Sequence, residues 1–487
     1  MTTNGCELPP IAPLLMQSLR AVGYSASSAL SDLIDNSIAA GARNIEVDYA
    51  GVRQPYIATV DDGYGMDEAT LVASMRFGSS DPRDVRSGID LGRFGLGLKT
   101  ASLSQCKRFT VVSVQDGVTS VARWDLDECE RRRSWWLERP EPSEVPSDIL
   151  ANLTAQGHGT AIIWQQLDRL STTKSDNPTA LDRVMDEAAD HLALVFHRFI
   201  AGEIVGPFSI RVNGRPLPVL DPFLEGHSLG QSLHGETFDI DGCRVNVSPF
   251  VLPFPARLKQ PEIDKAGGRE FLKTGHGFYI YRGGRLVVPG GWFRIVPSDD
   301  LIRLARVRVD LPVALDHLWK IDIRKASAEP PAALRPHLRR IIGDVATRSR
   351  RVYTHKGTRQ QDVQRIPLWS RQDGRDGAAC WVVNRGHPAV AALITDQAFG
   401  GDLERLLRLL EDSIPAHDIH LHISNDLPVA EVGMPSFDDL QTLAERWVAA
   451  FVGQPAIIKS LLARLPMTEP FNRDPEAAKR IAERLSE

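Results

Sequence analysis

At 487 residues the chain is too long for one hydrophobic core and should divide into two to four domains. Its 43% hydrophobic content is that of a globular protein, and five scattered cysteines (Cys6, Cys106, Cys129, Cys243, Cys380) exclude a disulfide framework and show no metal-ligand spacing. A net charge of −5 excludes polyanion binding by overall charge, and no basic leader or run of ~18 apolar residues indicates export or membrane spanning, so a cytoplasmic setting without membrane is expected.

In chain order, Pro9-Pro10 stiffens the end of an N-terminal arm, and Leu14, Leu15, Ser18, Leu19 and Val22 predict a short helix that Gly23 ends. Residues 29–41 follow, with Leu30, Leu33, Ile34 and Ile38 at helical spacing and Gly41 as the stop. Asp32 and Asn36 stand four apart, so a carboxylate and a carboxamide share one helix face. Such a pair could orient a water and hold a hard cation; the alternative is an ordinary solvated polar face. Ile45, Val47 and Tyr49 alternate as a strand, and Tyr56–Val60 is a second strand that delivers Asp61 at its end. In Asp61-Asp62-Gly63-Tyr64-Gly65-Met66, Gly63 and Gly65 permit close backbone approach and Met66 supplies an adaptable apolar wall, while a plain tight turn is the competing reading.

Phe77-Gly78-Ser79-Ser80-Asp81-Pro82 breaks a helix, and the polar run to Asp90 reads as a lid with Gly88 as hinge. Gly92-Arg93-Phe94-Gly95-Leu96-Gly97-Leu98-Lys99-Thr100 then opens a helix whose free backbone N–H groups and dipole suit phosphate oxygens. It is not a P-loop, because Leu98 separates Gly97 from Lys99. Phe109–Val114 and Val118–Trp124 pair around an Asp116-Gly117 turn. Arg131–Arg133 with Trp135-Trp136 could serve single-stranded nucleic acid, but a sheet surface with buried tryptophans is the stronger expectation. Gly157-His158-Gly159-Thr160 precedes another strand, Ala161–Trp164.

These motifs, in this order, resemble the GHKL ATPases: gyrase B, the ninety-kilodalton heat-shock chaperones, MutL and histidine kinases. The chain looks most like the MORC and MutL-like branch, closely over residues 10–170 and more loosely over 200–345. The resemblance implies ATP and Mg²⁺ as ligands. Asp61 would accept a hydrogen bond from the adenine amine, with Thr160 behind it, and Asn36 would bind the metal while the carboxylate before it orients the attacking water. Gly63, Gly65, Met66, Gly78, Ser79, Ser80 and residues 92–100 would line the nucleotide. It also implies a transducer domain whose lysine reaches the γ-phosphate; Lys325 stands after a strand and before a helix, with Lys320 and Arg324 as rivals.

One departure stands out. Most members of the family carry glutamate where this chain has Asp32. Losing a methylene retracts the carboxylate by roughly 1.3–1.5 Å, and a misplacement of that order can cost about 10²-fold in rate. Asp35 is a possible substitute, though it points ~60° away around the helix. Slow hydrolysis is therefore expected, with a non-hydrolysing sensor as the alternative.

Val184, Ala188, His191, Leu192, Val195 and Phe196 predict a helix, and the hairpin signals at Asn213-Gly214 and Gly283-Gly284 open a strand-rich second domain. From Arg335 to Arg365 nine Arg/Lys face two Asp, a local +7 that suits double-stranded DNA phosphates or else decorates a solvated helix. Leu403–Leu410 and Leu440–Phe451 mark helices, and His417, His420 and His422 read as strand rather than metal ligands. The expected fold class is α/β (α+β): a two-layer GHKL-type sandwich over 1–170, a transducer-type α/β domain over 171–355 and a small mixed domain of unassigned role over 356–487. By resemblance the protein would be an ATP-gated homodimer, a DNA-associated clamp of a restriction or phage-defence type. A chaperone-like ATPase, or a sensor that recruits effector proteins, are the other readings.

Overall fold

A computed structural model describes residues 8, 10–21, 23–52, 54–78, 97–170, 178–296, 302–316, 318–319, 330–331, 334–354, 366–373, 379–394, 400–415 and 436–486. The chain forms two compact units, Met1–His355 and Lys356–Glu487.

The first unit opens with α1 (Ala12–Arg20) and α2 (Ala26–Ala39). Ser25 starts α2 through a capping box with Ser28, which satisfies N–H groups that the first turn leaves open. Gly41 then takes φ +76°, the left-handed turn that releases the chain into β1 (Asn44–Ala50). Next come β2 (Tyr56–Asp61), α3 (Glu68–Met75), α4 (Gly97–Gln105), β3 (Arg108–Gln115), β4 (Val118–Asp125), α5 (Leu126–Arg132), α6 (Ser147–Gln156) and β5 (Gly159–Gln165). The helices α7 (Pro178–Val195) and α8 (His197–Ile200) lead to the short strands β6 (Ser209–Val212) and β7 (Arg215–Pro216).

These strands make one seven-stranded sheet in the order β4-β3-β5-β2-β1-β6-β7. Alternation splits its side chains between two layers. Ile57, Phe109, Val111, Ile162 and Trp164 pack under α1, α2, α4 and α7, whereas Ala58, Val60, Val112, Val114, Ala161 and Ile163 pack against Ile149 and Leu153 of α6. The helical layer includes Leu181, Met185, Ala188 and Leu192 of α7, and the hairpin at Asn213-Gly214 is part of this sheet, with β6 parallel to β1.

A second sheet uses β8 (Gln231–Ser232), β9 (Glu236–Ile240), β10 (Cys243–Val251), β11 (Gly277–Arg282), β12 (Arg285–Pro289) and β13 (Ala305–Leu311). Its path is β12-β11-β13-β10-β8, with β9 beside β10. Two short helices, α9 (Gln260–Lys265) and α10 (Arg269–Thr274), connect β10 to β11, and α11 (Arg335–Thr354) buries Leu338, Ile341, Ile342 and Val345 against the sheet.

The second unit carries a two-stranded sheet, Trp369–Asp373 with Ala379–Val383, and a small helical core around Leu440, Trp447, Leu465, Phe471 and Ile481. Helices Gly400–Asp412 and Phe437–Ala449 lie where leucine spacing places them. His417, His420 and His422 fall outside the described residues.

One expectation is corrected. Trp135 and Trp136 are 36% and 44% exposed rather than buried in a sheet. The short helix α5 interrupts the strand pattern, because Asp125 caps it by accepting from the N–H groups of Asp127 and Glu128. Arg132 lies over the Trp136 ring, and Trp135 packs tilted against Phe77 and edge-on against Trp124. No described helix is long and apolar enough to cross a membrane.

Candidate functional site

Strand register builds the first part of the site. Asp61 pairs with Thr160, and Thr160 with Ser113, so three neighbouring strands end in polar side chains on the helical face. Asp61 is 5% exposed. Its Oδ2 accepts from the Ser37 hydroxyl at 2.7 Å, and its Oδ1 accepts from the N–H of Gly63 at 2.9 Å and of Thr160 at 3.2 Å. Burial raises the Asp61 pKa above its ordinary value, against the lowering effect of those three donors. Thr160 therefore touches Asp61 through its backbone, while its hydroxyl lies 2.9 Å from that of Ser113. Ser113 Oγ also accepts from the Met66 N–H at 2.8 Å, which ties the loop after Asp61 to the sheet.

Two glycines close this pocket by absence of a side chain. Gly65 takes φ +72°, and a Cβ there would lie 1.9 Å from the Val114 carbonyl oxygen. Gly159 takes φ +121°, with the Asp61 carbonyl oxygen 2.3 Å from where its Cβ would be. His158 joins through Nδ1, 2.9 Å from the Gly63 carbonyl. The motifs around 61–66 and 157–160 are thus one structure.

The helix α2 builds the second part. Asp32 is 2% exposed, and its Oδ2 accepts from the Tyr24 hydroxyl at 2.9 Å. A Cβ on Gly97 would stand 3.7 Å from the same oxygen, so the amino end of α4 abuts the carboxylate. One turn along α2, Asn36 has its Nδ2 buried without a hydrogen-bond partner among the described residues. Asp35 turns elsewhere: its Oδ1 lies 3.1 Å from Arg285 Nε on β12.

The remaining expected residues are dispersed. Lys99 is 3% exposed and donates to the Ser74 carbonyl at 2.7 Å, and burial lowers its pKa to about 8. Thr100 is buried, Leu98 packs on the first core, and Gly78 takes φ +74° after α3. Ser79, Ser80, Gly92, Arg93, Phe94, Gly95, Leu96 and Lys325 lie outside the described residues.

The donor set fits Mg²⁺ carried by a polyphosphate. Among the described residues no three His, Cys, Asp or Glu converge on a metal position, so the protein offers isolated hard oxygens rather than a cage. Mg²⁺ is ordinarily held that way, by one or two protein oxygens, waters and substrate phosphates. The buried Asn36 Nδ2, without a hydrogen-bond partner among the described residues, is a donor suited to a phosphate oxygen rather than to the cation itself.

Residues 24–160 match the family described as histidine kinase-, DNA gyrase B- and HSP90-like ATPase. This segment is similar to GHKL-type ATPase domains. The GHKL match supports ATP binding and begins at Tyr24, the residue bonded to Asp32. No curated protein matches the chain. Tyr24, Ser37, Ser113 and Arg285 escaped the sequence reading. Only Ser37 carried a signal, as a polar residue on the buried side of an apolar helix.

Proposed function

We propose that the GHKL domain binds Mg·ATP and hydrolyses it slowly, and that ATP gates dimerisation. The observation that carries this reading is the buried Asp32 carboxylate, fixed by Tyr24, against the start of α4 and one turn from Asn36. In it, Asp61 accepts from the exocyclic amine of adenine, and Ser37, Gly63 and Thr160 hold the carboxylate in place. The N–H groups opening α4 receive phosphate oxygens. Asn36 offers its carboxamide oxygen to the metal, which when bound neutralises phosphate charge. Asp32 accepts a hydrogen bond from water and draws its proton as the water oxygen bonds to the γ-phosphorus and the bond to the β–γ bridging oxygen breaks. ADP and phosphate are the products.

Hydrolysis is slow in this reading because aspartate is shorter than glutamate; Tyr24 steadies Asp32 but does not lengthen it. Double-stranded DNA is the proposed partner of α11, where Arg335, Arg339, Arg348 and Arg350 are exposed while Arg340 is tied to Glu236. Contacts of this kind are sequence-independent and weaken with salt.

One experiment tests the core of this reading. Turnover of ATP is measured with and without Mg²⁺ and DNA while light scattering follows mass. Mg-dependent turnover, with a compact dimer formed by a non-hydrolysable analogue, is expected. A parent protein that binds no Mg·ATP by calorimetry overturns it; one that binds without any turnover leaves a sensor instead.

A further inference from the structure

The turn between β11 and β12 is Arg282-Gly283-Gly284-Arg285, and both arginines point inward: the Arg282 side chain is 1% exposed and the Arg285 side chain 3%. Gly284 takes φ +86°, and a Cβ there would stand 2.7 Å from Ile204, so the tip is pressed against the chain that follows α8. The two arginines take different acids. Arg282 meets Asp316 with Nε and Nη2 at 2.7 and 2.8 Å, within the second-sheet half of the unit. Arg285 meets Asp35 on α2, the helix that carries Asp32 and Asn36.

Asp35 is fully buried, and its Oδ1 is 3.1 Å from Arg285 Nε, an ion pair between α2 and β12. The Arg285 guanidinium lies 5.9 Å from the Phe196 ring centre. His191 of α7 is held neutral nearby, its pKa pushed to about 4 by burial and by the Arg285 charge. Loss of the guanidinium would let this buried carboxylate shift or draw in water. Either response acts on the turn of α2 that presents Asn36, the next residue.

We propose that Arg285 is a positioning residue for the metal end of the nucleotide site: through Asp35 it fixes the Asn36 carboxamide, so that the second sheet sets how strongly Mg²⁺ tightens nucleotide binding. The inference rests on the Mg·nucleotide reading above. Groups that orient a metal ligand in this indirect way typically cost about 10–100-fold in metal affinity when removed.

The test uses the full chain, with ADP titrated calorimetrically in Mg²⁺ and again in EDTA. Arg285→Gln should lose about 10-fold or more of the Mg²⁺ enhancement and keep the parent's affinity in EDTA. Arg285→Lys should keep most of the enhancement, because it retains a positive charge beside Asp35. Arg282→Gln breaks a comparably buried pair in the same tip and should lower the melting temperature while leaving the enhancement intact. Equal Mg²⁺ enhancement in Arg285→Gln and parent overturns the inference alone; a parent that binds no Mg·ADP overturns the site reading and this inference with it. Should Arg285→Gln fail to fold, amide exchange on the parent decides. By reciprocity, Mg·ADP must slow exchange across 282–286 beyond ADP alone, and identical exchange in the two states overturns the proposal.

Discussion

Replacing Asp61 by asparagine should abolish useful ATP binding yet leave the fold intact, and the hydrogen bonds of the pocket set the size of both effects. The new side chain keeps an oxygen facing the N–H groups of Gly63 and Thr160, which stand at 2.9 and 3.2 Å from Asp61 Oδ1. An NH₂ group replaces Oδ2, and the Ser37 hydroxyl, 2.7 Å away, can turn to accept from it. The protein therefore loses about 1 kcal/mol or less from these bonds. It also sheds the penalty of burying a charge. Because burial raises the folded pKa of Asp61 above 3.8, its ionisation destabilises the free protein as pH rises through the folded value. The free variant should then melt no lower than the parent near neutral pH. Binding behaves differently. Adenine loses a charge-assisted hydrogen bond of about 1.5–3 kcal/mol and meets a donor, which leaves unpaired N–H groups at a further ~1–3 kcal/mol. The sum, roughly 2.5–6 kcal/mol, weakens affinity by about 10²- to 10⁴-fold. Calorimetric titration with a non-hydrolysable ATP analogue, beside thermal melts, measures both. Parent affinity should also fall as acid protonates Asp61, at a pH above that of an exposed aspartate, and the variant should not show this fall. A variant that binds the analogue as the parent does refutes the pocket.

Asp32→Ala should bind ATP and lose turnover, whereas Asn36→Ala should lose both, as single-turnover kinetics and calorimetry would show. Asp32→Glu should not restore the rate and should slow hydrolysis further: Tyr24 holds Oδ2 at 2.9 Å and the amino end of α4 closes the far side, so the longer side chain has no room to extend. A faster Glu variant would contradict that geometry. Lys99 should make stability rise with pH. Its folded pKa of about 8 lies below the ordinary lysine value of 10.5, so the unfolded chain binds more protons between them, and the parent should gain up to about 3 kcal/mol relative to Lys99→Met from pH 7 to 10. Denaturant unfolding across that range checks it, and a constant difference would show that the ammonium is not desolvated.

Local signals carried most of the first sheet and the centre of the site. Alternation located β1, β2, β3 and β4; the Asp116-Gly117 turn, with φ of 52° and 78°, is the hairpin its dipeptide announces. Asp32, Asn36 and Asp61 were legible because an apolar helix and a strand end each carry polar residues where packing alone would want none. Their supports were not. Ser113 reaches the pocket only through register across β3 and β5, and Tyr24 only through the fold of the chain before α2. Arg285 lies about 250 residues from Asp35, a pairing that no periodicity encodes. Trp135 and Trp136 misled because aromatic residues after a strand resemble more strand, while the cap at Asp125 turns the chain into α5. The basic run from Arg335 was legible as charge, but its division between the Glu236-bound Arg340 and the exposed arginines depends on a strand distant in sequence.

The parallel pairing of β6 with β1 bears on how the protein can be cut. The motif-bearing stretch ends at 160, yet Phe208, Ile210 and Leu217 belong to the same core as Leu33 and Ile34, and α7 supplies Met185 and Leu192 to it. Expressing residues 1–170 alone would strip a helix from the covered face and bare the hydrogen-bonding edge of β1, inviting foreign strands to pair there. A protease nick at 171–177 would leave the two fragments clasped by that edge. The smallest piece that keeps the first sheet whole must run past Leu217, and if it stops before β12 it parts Asp35 from Arg285.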